Sequence, residues 1–157
     1  LSEPTIDTAI LAAYRPLDWG RGAPQIFAGL EAAVAALRQA GKTVVLVYPN
    51  PDDRQGVPQR LARQQERFGH FDPNLYPLAE FRRRLARTLS RLDDLVRRYD
   101  LVKIDPTDVF CPDGMCLRYR DGKVMMFDSH HPSLSAARMM APLYADLIAK
   151  SGGVHGR

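Results

Sequence analysis

The chain has 157 residues, 45% of them hydrophobic and 25% charged, with a formal net charge of +4; that is one domain of ordinary globular composition. It contains no run approaching the roughly 20 apolar residues of a membrane span, and it does not open on a signal-peptide pattern. Its excess positive charge gathers in the arginines of 82–98, with neither interleaved aromatics nor a nucleic-acid motif, so it reads as a solvated helix face and nucleic acid is not an expected partner.

In chain order, 8–13 (TAILAA) reads as a short buried strand. Residues 25–40 place Ile26, Leu30, Ala33, Val34 and Leu37 at helical spacing, and Gly41 stops that helix. The β-branched run 43–48 (TVVLVY) predicts a central parallel strand, ended by Pro49 and Pro51. The polar stretch 52–75 is rich in turn formers, with a short helix expected over 59–68 and Asn50 read as a turn residue. Leu78, Phe81, Leu85, Leu89, Leu92 and Val96 form one long amphipathic stripe, which Asp100 breaks, and 101–104 is a third short strand. Asp121-Gly122 reads as a hairpin turn between 117–119 and 124–127. The last helix is expected over 133–150, N-capped by Ser133, with 151–157 as a frayed Gly-rich tail.

Strands alternating with long helices predict an α/β fold, a three-layer doubly wound parallel sheet joined by right-handed crossovers. Such a sheet carries its site at the C-terminal ends of its strands. Cys111 and Cys116 enclose Pro-Asp-Gly, a turn able to bring them together, so the pair reads as a small disulfide-closed loop, the alternative being two reduced structural cysteines. No Cys or His pairing has metal-ligand spacing, and neither a metal nor another cofactor is expected.

The chemistry concentrates in Phe127-Asp128-Ser129-His130-His131-Pro132-Ser133, just before the last helix. An Asp three residues before a His can turn back so that its carboxylate accepts the imidazole Nδ1–H, which leaves Nε2 free to take a proton from a serine hydroxyl. Asp128 and His131 are therefore the candidate acid and base, with His130 the alternative base in a register shifted by one.

The block 109–137 resembles the C-terminal part of the SGNH hydrolase superfamily, and more specifically the SGNH domain fused to membrane O-acyltransferases that modify cell-envelope glycans. The resemblance rests on Cys111, Cys116, Gly122, Asp128, His131 and Ser133, and on 41–47 with Pro49 and Pro51, Val57-Pro58 and Leu61-Ala62, and it extends over about 8–148. It implies an N-terminally incomplete SGNH, flavodoxin-like fold over 1–150. It also implies a serine acyl-enzyme that passes an acyl group, acetyl in the first instance, to a glycan hydroxyl, or to water in an esterase. The implied partners are a glycan acceptor, an acyl donor and a membrane-embedded acyltransferase domain in the same polypeptide; the implied location is the periplasm or outer face of the envelope. Tyr14, Arg15 and Trp19, after the first strand, are candidates to line the oxyanion or substrate site. Two departures stand out: Pro132 occupies a position usually held by Leu, and no Gly-Asp-Ser is present. Of Ser2, Ser90, Ser129, Ser133, Ser135 and Ser151, none follows a strand in a tight glycine turn, so the nucleophile is expected upstream of Leu1, in keeping with a chain that opens Leu1-Ser2-Glu3. The rival reading is a non-catalytic module that binds glycan or docks on a membrane acyltransferase.

Overall fold

The computed structural model describes residues 6–12 and 23–152. In chain order its elements are β1 (Thr8–Ala12), α1 (Ala23–Gln39), β2 (Thr43–Val47), α2 (Val57–Phe68), β3 (Asn74–Pro77), α3 (Leu78–Arg84), α4 (Ala86–Tyr99), β4 (Val102–Ile104), α5 (Thr107–Phe110), β5 (Met115–Leu117), β6 (Tyr119–Arg120), β7 (Lys123–Val124) and α6 (Leu134–Gly152). They form two compact units, one from the described residues of 1–49, 84–105 and 144–157, the other from 50–83 and 106–143.

The first unit is α/β. Its parallel sheet has the order β1-β2-β4, so the Val-rich run 43–47 lies between the two strands expected to flank it. Side chains alternate across a strand. Val44, Leu46 and Tyr48 join Phe27 and Val34 of α1, Leu92 and Leu95 of α4, and Leu101 in one apolar cluster. Val45 and Val47 are also buried, so neither face of β2 is solvated. Among the described residues β1 is the outer strand of this sheet, and its Ile10 is 47% exposed where a buried strand was expected.

The helix ends follow local chemistry. Gly41 adopts φ 72°. Its N–H bonds to the Arg38 carbonyl and that of Lys42 to Leu37, which together satisfy the last carbonyls of α1. Asp100 ends α4 in the same left-handed region, at φ 51°. The single amphipathic helix expected from the 78–96 stripe is two helices, because Leu85 sits at φ −105°, ψ 17°. Neither Gly nor Pro marks that break, and the apolar spacing runs through it unchanged.

The second unit is built from short pieces. β3 pairs antiparallel with β5, and β6 with β7 across Asp121 and Gly122, whose positive φ values (48° and 76°) suit a two-residue hairpin. The hairpin is tighter than expected, because Leu117 pairs with Asn74 instead. β3 was hidden within a polar stretch and ends on Pro77, a residue tolerated only at edges. Cys111 and Cys116 are disulfide-bonded, with sulfurs 2.08 Å apart, and both residues are buried. Ser133 caps α6: its Oγ accepts the Ala136 N–H at 3.1 Å and donates to the Val124 carbonyl at 2.6 Å. α6 continues to Gly152; the remainder of the expected tail, 153–157, lies outside the described residues.

Candidate active site

The segment between β7 and α6 folds into a closed loop. The Phe127 N–H donates to the His131 carbonyl at 2.8 Å, and Met126 bridges to Pro132. Inside it the Asp128 carboxylate has both oxygens engaged. Oδ1 accepts the backbone N–H of His130 and of His131, each at 2.8 Å, and Oδ2 lies 2.6 Å from His131 Nδ1. Desolvation pushes the Asp128 carboxyl up, but the two backbone donors and the imidazole outweigh it and hold the carboxyl well below the ordinary range. An ionised carboxylate has no proton to give, so the shared hydrogen belongs to Nδ1; in a neutral imidazole so bonded, Nε2 is the atom that carries the lone pair. The His131 side chain is 64% exposed.

His130 is placed differently. Its Nδ1 lies 2.8 Å from Ser129 Oγ and 3.9 Å from Asp128 Oδ1, beyond hydrogen-bond reach of the carboxylate. Its ring lies against that of His131, with centroids 3.9 Å apart. Donor atoms of Asp128, His130 and His131 all fall within 4.8 Å of one another.

The loop is gripped by the segment after Pro49. Asn50 Nδ2 donates to the His130 carbonyl at 2.6 Å, Asp53 N–H to Ser129 at 2.7 Å, and Val57 N–H to Asp128 at 3.1 Å. Three successive carbonyls of the loop are thereby satisfied from one side. That segment is itself pinned. Tyr76 Oη accepts the Asp52 N–H at 2.9 Å and lies 3.0 Å from the Asp52 carbonyl. Asp53 Oδ2 accepts Arg118 Nε at 2.9 Å, with side chains only 4% and 8% exposed. Arg60 Nε stands 3.0 Å from the same oxygen but misaligned for a hydrogen bond, while its Nη2 donates to Asp53 Oδ1 at 3.4 Å. Burial raises the Asp53 pKa; the Arg118 hydrogen bond, the Gln55 N–H and the charges of Arg60 and Arg118 outweigh that and set it below the ordinary value.

In the sequence Asn50 reads as a turn residue, and neither Asp53 nor Arg118 carries a signal. The Asn50 side chain does bond the neighbouring Pro51 carbonyl, at 3.1 Å, but it also reaches 80 positions along the chain. The proline-bounded Asn-Pro-Asp-Asp was the only available signal. Tyr14, Arg15 and Trp19 lie outside the described residues. Two described serines are committed locally: Ser133 caps α6, and Ser129 faces His130 rather than His131.

A family model for the SGNH domain fused to AT3 domains matches residues 1–146. The chain belongs to that family. Among solved structures, this SGNH domain is similar to the periplasmic domain of the lipopolysaccharide acetyltransferase of Salmonella ser. Paratyphi A, with a TM-score of 0.65 and 14% identity. The similarity takes in 90% of this chain and 57% of that one; it establishes a shared fold, and this chain spans little more than half of that domain. No curated protein matches the chain significantly. Among the described residues, no helix is long and apolar enough to cross a membrane.

Proposed function

We propose that this SGNH domain transfers an O-acyl group, acetyl in the first instance, to a hydroxyl of a cell-envelope glycan through a serine acyl-enzyme. The observation that carries the proposal is the 2.6 Å bond between Asp128 Oδ2 and His131 Nδ1, which makes Nε2 the basic atom. In this reading His131 Nε2 takes the proton of a serine hydroxyl as its oxygen attacks the donor's acyl carbon, and Asp128 stabilises the imidazolium. Backbone N–H groups hold the tetrahedral oxyanion. The leaving group departs with the proton from Nε2, and the serine keeps the acyl group as an ester. A sugar hydroxyl, deprotonated in turn by Nε2, then attacks the ester and frees the serine; water in its place gives hydrolysis. The mechanism uses no metal.

Residues 1–157 contain no Gly-Asp-Ser. The proposal assigns the nucleophile to polypeptide outside them, and delivery of the acyl donor to AT3 domains in the same polypeptide. An extracytoplasmic location is supported by the periplasmic setting of the structural neighbour, and a disulfide between Cys111 and Cys116 fits an oxidising compartment. The test is to trap the acyl-enzyme in the intact polypeptide and locate the adduct by mass spectrometry. An acyl ester on a serine, absent when His131 is replaced by Ala, is the expected result. Glycan binding with no serine adduct under any donor would favour a non-catalytic binding module instead.

A further inference from the structure

The grip on the 128–131 loop closes into a ring. Asp53 N–H holds the Ser129 carbonyl. The chain runs back from Ser129 to Met125, whose N–H bonds the Arg118 carbonyl at 2.8 Å. The Arg118 guanidinium returns to the Asp53 carboxylate through Nε and reaches the Asn74 carbonyl through Nη1. Arg118 thus meets the segment that carries Asp128 at Met125 through its backbone carbonyl, and its side chain reaches the Ser129 end only by way of Asp53. Asn50 adds an independent tie at His130, one residue before the imidazole that meets Asp128.

We infer that Asn50 and the buried Asp53–Arg118 pair are positioning residues that hold the Asp128–His131 couple at its working geometry. The inference rests on the reading of that couple as acid and base. The physical ground is the kind of bond used. Apolar contacts would bury the 50–57 segment as well or better, since a buried ion pair is seldom more stabilising than packed hydrophobic side chains. A hydrogen-bonded ring fixes distance and direction, which apolar packing does not. The loop's own bonds fix its internal shape, but the His131 ring is largely exposed and little packing holds it in place. In acid–base catalysis an ångström of displacement lowers the rate by about a hundredfold.

The test uses the intact polypeptide with Asn50→Ala, Asp53→Asn, Arg118→Met and Arg118→Lys. Each is measured for acyl-transfer kcat and KM, for the fraction folded, and for the proton resonance of His131 Nδ1–H. Positioning requires kcat per folded molecule to fall by about 10- to 100-fold, with KM for the acyl donor unchanged and the Nδ1–H resonance shifted or broadened. Arg118→Lys, which keeps the charge and loses the planar fork, is expected to recover part of the rate lost in Arg118→Met. If the ion-pair variants do not fold, Asn50→Ala decides, since it removes only an amide at the edge of the ring. Folded variants with wild-type kcat and an unmoved resonance overturn the inference and leave the ring a purely structural feature. Failure of the catalytic reading is separately visible, as full transfer in His131→Ala. The Nδ1–H resonance in Asn50→Ala then decides the positioning question by itself: a shift supports it, and an unmoved signal ends it.

Discussion

In the unit with the parallel sheet, Val44, Leu46 and Leu95 are buried among many apolar neighbours, and the loss of any one contact is shared by the rest. In the other unit the 128–131 loop depends on bonds whose partners are single atoms: one amide nitrogen of Asn50, one N–H of Asp53, one carboxylate oxygen of Asp128. The first arrangement tolerates any side chain of about the right size. The second tolerates almost no change at a few positions and is indifferent elsewhere. A proton-transfer site needs fixed directions, and directional bonds supply them; a sheet needs area removed from water, and packing supplies that.

The largest expected effect is on rate. Asp128→Asn in the intact polypeptide should lower acyl transfer on the order of 10⁴-fold, because an amide stabilises neither the required tautomer nor the imidazolium. Its folding should change little by comparison, which thermal unfolding beside the transfer assay will show. Leu95→Ala is the converse probe. Removing a fully buried side chain between α4 and β2 should lower unfolding free energy by about 2–5 kcal/mol by denaturant titration. If the folded fraction then transfers more slowly, the separation of packing from chemistry fails.

A third expectation concerns pH. Asp53 and Asp128 are both held below their ordinary values, so each binds a proton less readily folded than unfolded. Their contribution is fully present above the unfolded carboxyl value of about 4 and is lost as pH falls from there through the folded values. Hydrogen-exchange protection of the Asp53 and Val57 amides, which donate into the loop, should therefore weaken below about pH 4. Protection of Val45 and Leu46, apolar residues buried in β2, should persist to lower pH. Exposed pairs such as Arg98–Glu31 do not alter this, since surface ion pairs contribute little. Equal weakening in both places would erase the contrast. The smallest effect is at Asp100: glycine there relieves a left-handed backbone at the loss of a distant, solvent-exposed pairing with Arg38, for a gain on the order of 0.5 kcal/mol in thermal stability.

The same contrast explains what could be read in advance. The parallel order of β1, β2 and β4 followed from a β-branched run between two helical stripes, and Gly41 and Asp121-Gly122 announced their turns, because each is a local or periodic signal. The Asp128–His131 bond was legible for a similar reason: three residues separate the partners, and the loop alone can close that distance. The break at Leu85 was not, since the stripe keeps its spacing through it. Nor were Asn50, Asp53 and Arg118. Their bonds span 80 and 65 positions, and no periodicity marks a charge that is buried because a distant partner meets it.

The central question is which imidazole moves the proton. Acyl-transfer rates of His131→Ala and His130→Ala, compared in the intact, folded polypeptide, decide it. Loss of about 10⁴-fold or more in the first and no more than about tenfold in the second is the expected outcome, since only His131 shares its Nδ1 proton with Asp128. Transfer that survives in His131→Ala, or that is abolished in His130→Ala while His131→Ala retains it, would contradict the assignment of His131 as the base.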